Sequence, residues 1–113
     1  MEPRIFLLAA VSALIGSIGQ IEFKKGSEFF ELNISALLVN YHLIIGVMLY
    51  VLSTLVYLYA LREGQLSIIY PIIATSYIWT TILAKVFLGE SVDLMNWVGI
   101  FLILLGVTIV SWR

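Results

Sequence analysis

The sequence predicts an all-α integral membrane protein built from four transmembrane helices. Two observations carry that prediction: four long apolar runs, and too few charges to cover a globular surface. The chain has 113 residues, of which 62% are hydrophobic and only 12% charged, and its mean hydropathy is +1.09. A soluble domain carries roughly 25% charged residues, so an ordinary soluble enzyme and a disordered chain are both excluded. Lys and Arg number 6 against 7 for Asp and Glu. Such a balance offers no basic field for nucleic-acid phosphates, and nucleic acid is not expected as a partner. With no cysteine there is no disulfide framework, thiolate metal site or thiol nucleophile.

A span needs about 20 mostly apolar residues to cross the hydrocarbon layer, and lipid offers no partners for its backbone, so each span must be helical. The first runs from Ile5 to Phe23, with Glu22 near its end. The second, Leu43 to Leu61, has no charge. The third, Leu66 to Leu88, holds Lys85 close to its end, and the fourth covers about residues 95–112. Three further spans and the lack of a basic n-region argue against a cleaved signal peptide in the first. The whole chain, residues 1–113, reads as a single transmembrane domain. Residues 29–42 are ambiguous. Asn33, Ser35, Asn40 and His42 suit an interfacial segment, and an extension of the second span is the alternative.

Four spans place Arg4, Arg62 and Arg113 on one side and Lys24, Lys25 and Lys85 on the other. Cytoplasmic loops normally hold the basic excess, and here the two sides balance. We expect copies inserted in both orientations that pair as an antiparallel dimer, since four helices alone are too few to enclose a pathway.

Polar residues recur at helical spacing. Ser12, Gly16, Gly19 and Gln20 share a face of the first span, and Tyr50, Ser53, Thr54 and Tyr57 share one of the second. In the third, Tyr70, Tyr77 and Thr81 share a face that Ser76 and Thr80 flank. A single hydroxyl of this kind is commonly a packing contact between helices. Three stripes with four tyrosines and a glutamine exceed what packing needs, and they point to a shared polar cavity. Tyrosine supplies both a ring face and an orienting hydroxyl.

Glu22 is a candidate proton or cation site; an interfacial pair with Lys25 at i+3 is the structural alternative. Lys85 either snorkels to the headgroups or faces a phosphate. His42 is expected at an interface. Gly99 and Gly106 lie seven apart on the otherwise apolar fourth span and suit close contact with a second copy. Pro71 is a candidate hinge, or a first-turn proline that starts its helix. No nucleophile–base pair or metal cluster stands in any span, so no enzyme chemistry, cofactor or metal is expected.

Several segments together carry a family likeness. They are Gly19-Gln20 with Lys24, Leu58 to Leu61, Ser67 to Trp79 with its Tyr70-Pro71, Phe87 to Glu90, Trp97 to Gly99, and Gly106-Val107. The chain resembles the drug/metabolite transporter superfamily, in particular its short four-helix members related to EamA and to the small multidrug resistance proteins. Within that group it is most similar to the flippase subunits for undecaprenyl-phosphate aminoarabinose. The small multidrug resistance proteins depend on a glutamate midway along their first helix, and Gly16 stands at that position here.

The resemblance implies an inner-membrane transporter of an amphipathic or lipid-linked substrate, such as a polyprenyl phosphate bearing a sugar. Gln20, Tyr50, Tyr57, Tyr70, Ser76 and Tyr77 would then bond the sugar, while Lys24 and Lys85 attract the phosphate at opposite stages. The lipid bilayer and a second subunit, identical or different, are the implied partners. A proton-coupled small-molecule exporter using Glu22 is the alternative, and a non-transporting helper subunit of a heterodimer is a third reading.

Overall fold

The computed structural model describes residues 3–111 and is all-helical over them. Six helices follow one another: α1 Pro3–Ser27, α2 Ile34–Val39, α3 Tyr41–Glu63, α4 Leu66–Ala74, α5 Ser76–Leu88 and α6 Leu94–Ser111. Four segments are long and apolar enough to cross a membrane: α1, α3, Leu66–Phe87 spanning α4 and α5, and α6. Trp112, at the end of the expected fourth span, and Arg113 lie outside the described residues.

The central helix is α1, which packs on α3 and also on α4 and α5. The reason is residue size. Lipid tails are as apolar as leucine, so helices associate where small residues let backbones approach. A Cβ added to Gly46 of α3 would lie 2.8 Å from Phe23 Cδ1 and 3.2 Å from the Gly19 carbonyl of α1. One added to Gly26 would lie 2.9 Å from the Leu43 backbone nitrogen. Farther along the hairpin from its loop, the Ser12 hydroxyl donates to the Ser53 carbonyl at 2.9 Å and the Ser53 hydroxyl donates to the Ser12 carbonyl at 2.8 Å. Toward the other end of this hairpin, Ile5, Ala9, Ala60 and Ile69 form a small buried core. Arg4 and Glu63 close that end with a 2.8 Å ion pair.

The 29–42 segment resolves into a loop, the short α2 and the first turn of α3. Asn33 caps α2 by accepting from the Ala36 amide at 2.7 Å. Asn40 is buried: its amide donates to the Gly26 carbonyl at 2.8 Å and its carbonyl oxygen accepts from the Leu43 amide, tying the end of α1 to the start of α3.

The third span is broken. Pro71 is the sixth residue of α4, inside the helix rather than in its first turn. It has no N–H to give the Ser67 carbonyl. Four residues on, Thr75 interrupts the helix, with its amide bonded back to Ile72 at 3.1 Å in a tightened turn. A second stop, Gly89, ends α5 at φ +68°, the left-handed conformation that glycine adopts without a Cβ penalty. α6 then starts from a reciprocal pair in which Asp93 and Asn96 each accept from the other's amide. It meets the other helices chiefly through α4, and Ile100 is its one buried residue.

Candidate functional site

At mid-depth, α1, α3 and the α4–α5 pair enclose a cavity of about 370 Å³. Ser12, Gly16, Ser17 and Gln20 line it from α1, and Tyr50, Ser53, Thr54 and Tyr57 from α3. Tyr70, Ile73, Ser76 and Thr80 complete the wall from α4 and α5. That volume is at the small end of ligand pockets, which run from roughly 300 to 1,000 Å³.

Its polar groups fall into two sets. The first is already committed to the protein. Ser12 and Ser53 bond each other's backbones, as described above. Thr54 donates to the Tyr50 carbonyl at 2.9 Å, and Ser17 to the Ala13 carbonyl at 2.8 Å. These are the contacts that hold helices together or return a hydroxyl to its own helix. The second set is uncommitted. Among the described residues, the Gln20 amide and the Tyr50, Tyr57 and Tyr70 hydroxyls donate no hydrogen bond within the protein, nor do the Ser76 and Thr80 hydroxyls. No side-chain polar atom there is both fully buried and unpartnered. A polar group in a membrane span is costly unless something satisfies it. The free donors and acceptors of this cavity are therefore available to water or to a polar ligand.

Of the expected binding residues, Gln20, Tyr50, Tyr57, Tyr70 and Ser76 thus share one wall. Tyr77 does not line the cavity and is about half exposed. Lys24 and Lys85 stand apart from it, in the last turns of α1 and α5, at the same end of the molecule. Gly99 and Gly106 both face open space, with no atom within 4 Å of an added Cβ.

A match to the EamA-like transporter family extends over residues 3–112. The chain belongs to that family. Its relatives in this family include proteins named as the probable 4-amino-4-deoxy-L-arabinose-phosphoundecaprenol flippase subunit ArnE. The one from Yersinia pestis (strain Pestoides F) is 29% identical over 114 residues, covering 96% of each chain. Its counterpart from Pectobacterium atrosepticum is 30% identical over 116 residues, covering 90% of this chain and 93% of the relative. No solved structure matches the chain. An EamA-like chain with four helical spans is a multi-pass protein of the bacterial inner membrane, since outer-membrane spans are β-barrels.

Two features of this EamA-like chain escape a reading by periodicity. Ser17, almost fully buried, also reaches the Ser76 carbonyl beside the break in the third span, at 3.3 Å. Its signal in sequence is faint: Ala13, Ser17 and Gln20 follow at i, i+4 and i+7. Glu22 pairs with His42 at 2.6 Å across the α1–α3 hairpin, and not with Lys25 along its own helix. The two side chains are about one-fifth exposed, and the Tyr41 ring lies 4.1 Å from the imidazole.

Proposed function

We propose that this chain is a flippase subunit that moves a lipid-linked sugar, or a lipid with a similar polar head, across the inner membrane. One observation carries the reading: six uncommitted polar side chains from three spans meet at mid-depth, where the barrier to a polar head is highest. Replacing the head's hydration by Gln20, Tyr50, Tyr57, Tyr70 and Ser76 lowers that barrier, while the tail never leaves an apolar medium. The names of the ArnE relatives support the class of substrate. No covalent chemistry is needed, so the role is transport without an enzyme step. A second subunit completes the pathway, because α6 offers most of its surface to a neighbour or to lipid. Lys24 and Lys85 gather the phosphate at the membrane surface; paired antiparallel copies put one such cluster on each side.

The test is flipping of a polyprenyl-phosphate sugar in proteoliposomes. Gln20→Ala and Tyr57→Phe each remove a head contact and are expected to slow flipping about tenfold, the order of one or two hydrogen bonds, with the chain still folded. Flipping at the native rate in both variants overturns the reading.

The Glu22–His42 pair favours a second reading, a proton-coupled exporter of small cationic molecules. It ranks below the first because neither residue lines the mid-depth cavity. Under it, Glu22→Gln abolishes proton-linked uptake into inverted vesicles. Under the flippase reading, Glu22→Gln flips lipid as before.

A further inference from the structure

A second and larger cavity, of about 780 Å³, lies between α4 and α6. Leu66 and Tyr70 form one wall, and Leu102, Ile103, Gly106 and Val107 the other. Tyr70 therefore lines both this groove and the polar cavity. The two differ in chemistry. The first holds an amide and a ring of hydroxyls; the second is mostly aliphatic, with Ser67 and Ser111 near its end. Its floor is open at Gly106, where an added Cβ would meet nothing within 4 Å. Its outer rim is α6, where Leu102 and Val110 are among the most exposed apolar residues. With α6 crossing the bilayer, that rim meets hydrocarbon chains wherever no second subunit covers it.

We propose that the α4–α6 groove holds the hydrocarbon tail of the substrate whose polar head occupies the mid-depth cavity, and that Tyr70 stands at their junction. The inference rests on the flippase reading and deepens it by giving the tail a place. A polar chamber continuous with an apolar slot through one amphipathic residue matches a molecule that is itself polar at one end and apolar along its length. Tyrosine suits the junction because its ring packs on a chain while its hydroxyl meets a head. The groove opens sideways onto the lipid-facing side of α6, so the tail enters from the bilayer without crossing water. Gly106 then serves the groove by leaving room for the chain, while Gly99, outside it, stays available to a second subunit.

The experiment uses two photoreactive probes on the full chain in vesicles of phosphatidylethanolamine and phosphatidylglycerol. One is a polyprenyl phosphate with a diazirine halfway along its tail; the other carries the diazirine on a sugar at its head. A phosphatidylcholine with a diazirine in one acyl chain is the control. The expected result is head adducts on the cavity wall and tail adducts concentrated on Leu102, Ile103 and Val107. Gly106→Leu fills the groove without displacing any neighbour and should cut tail adducts about tenfold, the order for about two methylenes losing burial, while head adducts persist. Val110→Trp closes the mouth from outside and should do the same. Head adducts in the cavity, with tail adducts scattered as in the control or unchanged by both variants, overturn the groove and leave the flippase reading standing. A Gly106→Cys disulfide between two copies, formed in place of tail adducts, also overturns the groove by giving it to a second chain. Absence of head adducts from the cavity sinks the flippase reading and this inference with it.

Discussion

Gly26 and Gly106 are the same residue type in opposite circumstances, and their alanine variants separate packing from open space. At Gly26 the new Cβ meets the Leu43 nitrogen at 2.9 Å and Asn40 Oδ1 at 3.2 Å, and the first of these is backbone that cannot swing aside. Gly26→Ala is expected to cost about 1–3 kcal/mol, the range for overpacking, read as a lower thermal midpoint in detergent. At Gly106 nothing is in the way, and Gly106→Ala should leave the midpoint unchanged. Equal tolerance at the two positions would mean that the α1–α3 hairpin is not held by backbone contact. The serine clasp allows a finer measurement. Ser12 and Ser53 each lose a donor on change to alanine, and a double-mutant cycle should return a coupling of about 0.6 kcal/mol, typical between membrane helices. Additive losses would deny the clasp any energetic role.

The broken third span is the element most open to a functional test. Pro71→Ala restores the amide that the Ser67 carbonyl lacks, and a helix-interior proline costs a regular helix about 3 kcal/mol. If the discontinuity at Thr75 bends during transport, this variant gains thermal stability and loses flipping rate several-fold. A variant that is more stable and equally fast would make the break a static feature. The sequence announces this element only in part. Proline and the surrounding tyrosines are plain in it, but the position of the interruption, four residues later, depends on how α4 and α5 lie against α1. The polar stripes were legible for a simple reason: within one helix the period of 3.6 fixes which residues share a face. Contacts between helices were not. Glu22 and His42 are separated by a loop and by α2, so their meeting depends on the register of the hairpin, which Gly26 and Asn40 set. By local spacing alone, Lys25 was the natural partner for Glu22, and the tertiary contact overrides it. Ser12 and Ser53 show the same limit, since periodicity puts both on wet faces and only the packing reveals that they satisfy each other.

For the whole molecule, the charges make the most testable statement. Arg4 and Arg62 stand at one end of the bundle, and Lys24, Lys25 and Lys85 at the other. The sequence adds Arg113 to the first group. Topology follows the bias of Lys and Arg between the two sides, and three against three supplies no bias. On our proposal a chain without bias inserts both ways, and opposed copies would put a lysine cluster at each surface. Both surfaces could then draw a phosphate, as a carrier that releases its head on the far side requires. A C-terminal alkaline phosphatase fusion is active only outside the inner membrane, and a green fluorescent protein fusion glows only inside, so both should report strongly. Gln65→Lys adds one charge to the arginine end and should bias that end to the cytoplasm. The fluorescent signal then rises, the phosphatase signal falls, and flipping by this chain alone drops. Lys24→Ala with Lys85→Ala should push topology the same way, while also removing the proposed phosphate contacts. A native chain that lights only one reporter overturns self-pairing of opposed copies. The second lysine cluster would then have to come from a different subunit, and co-expression of that subunit, not a change of charge, would be needed to restore flipping.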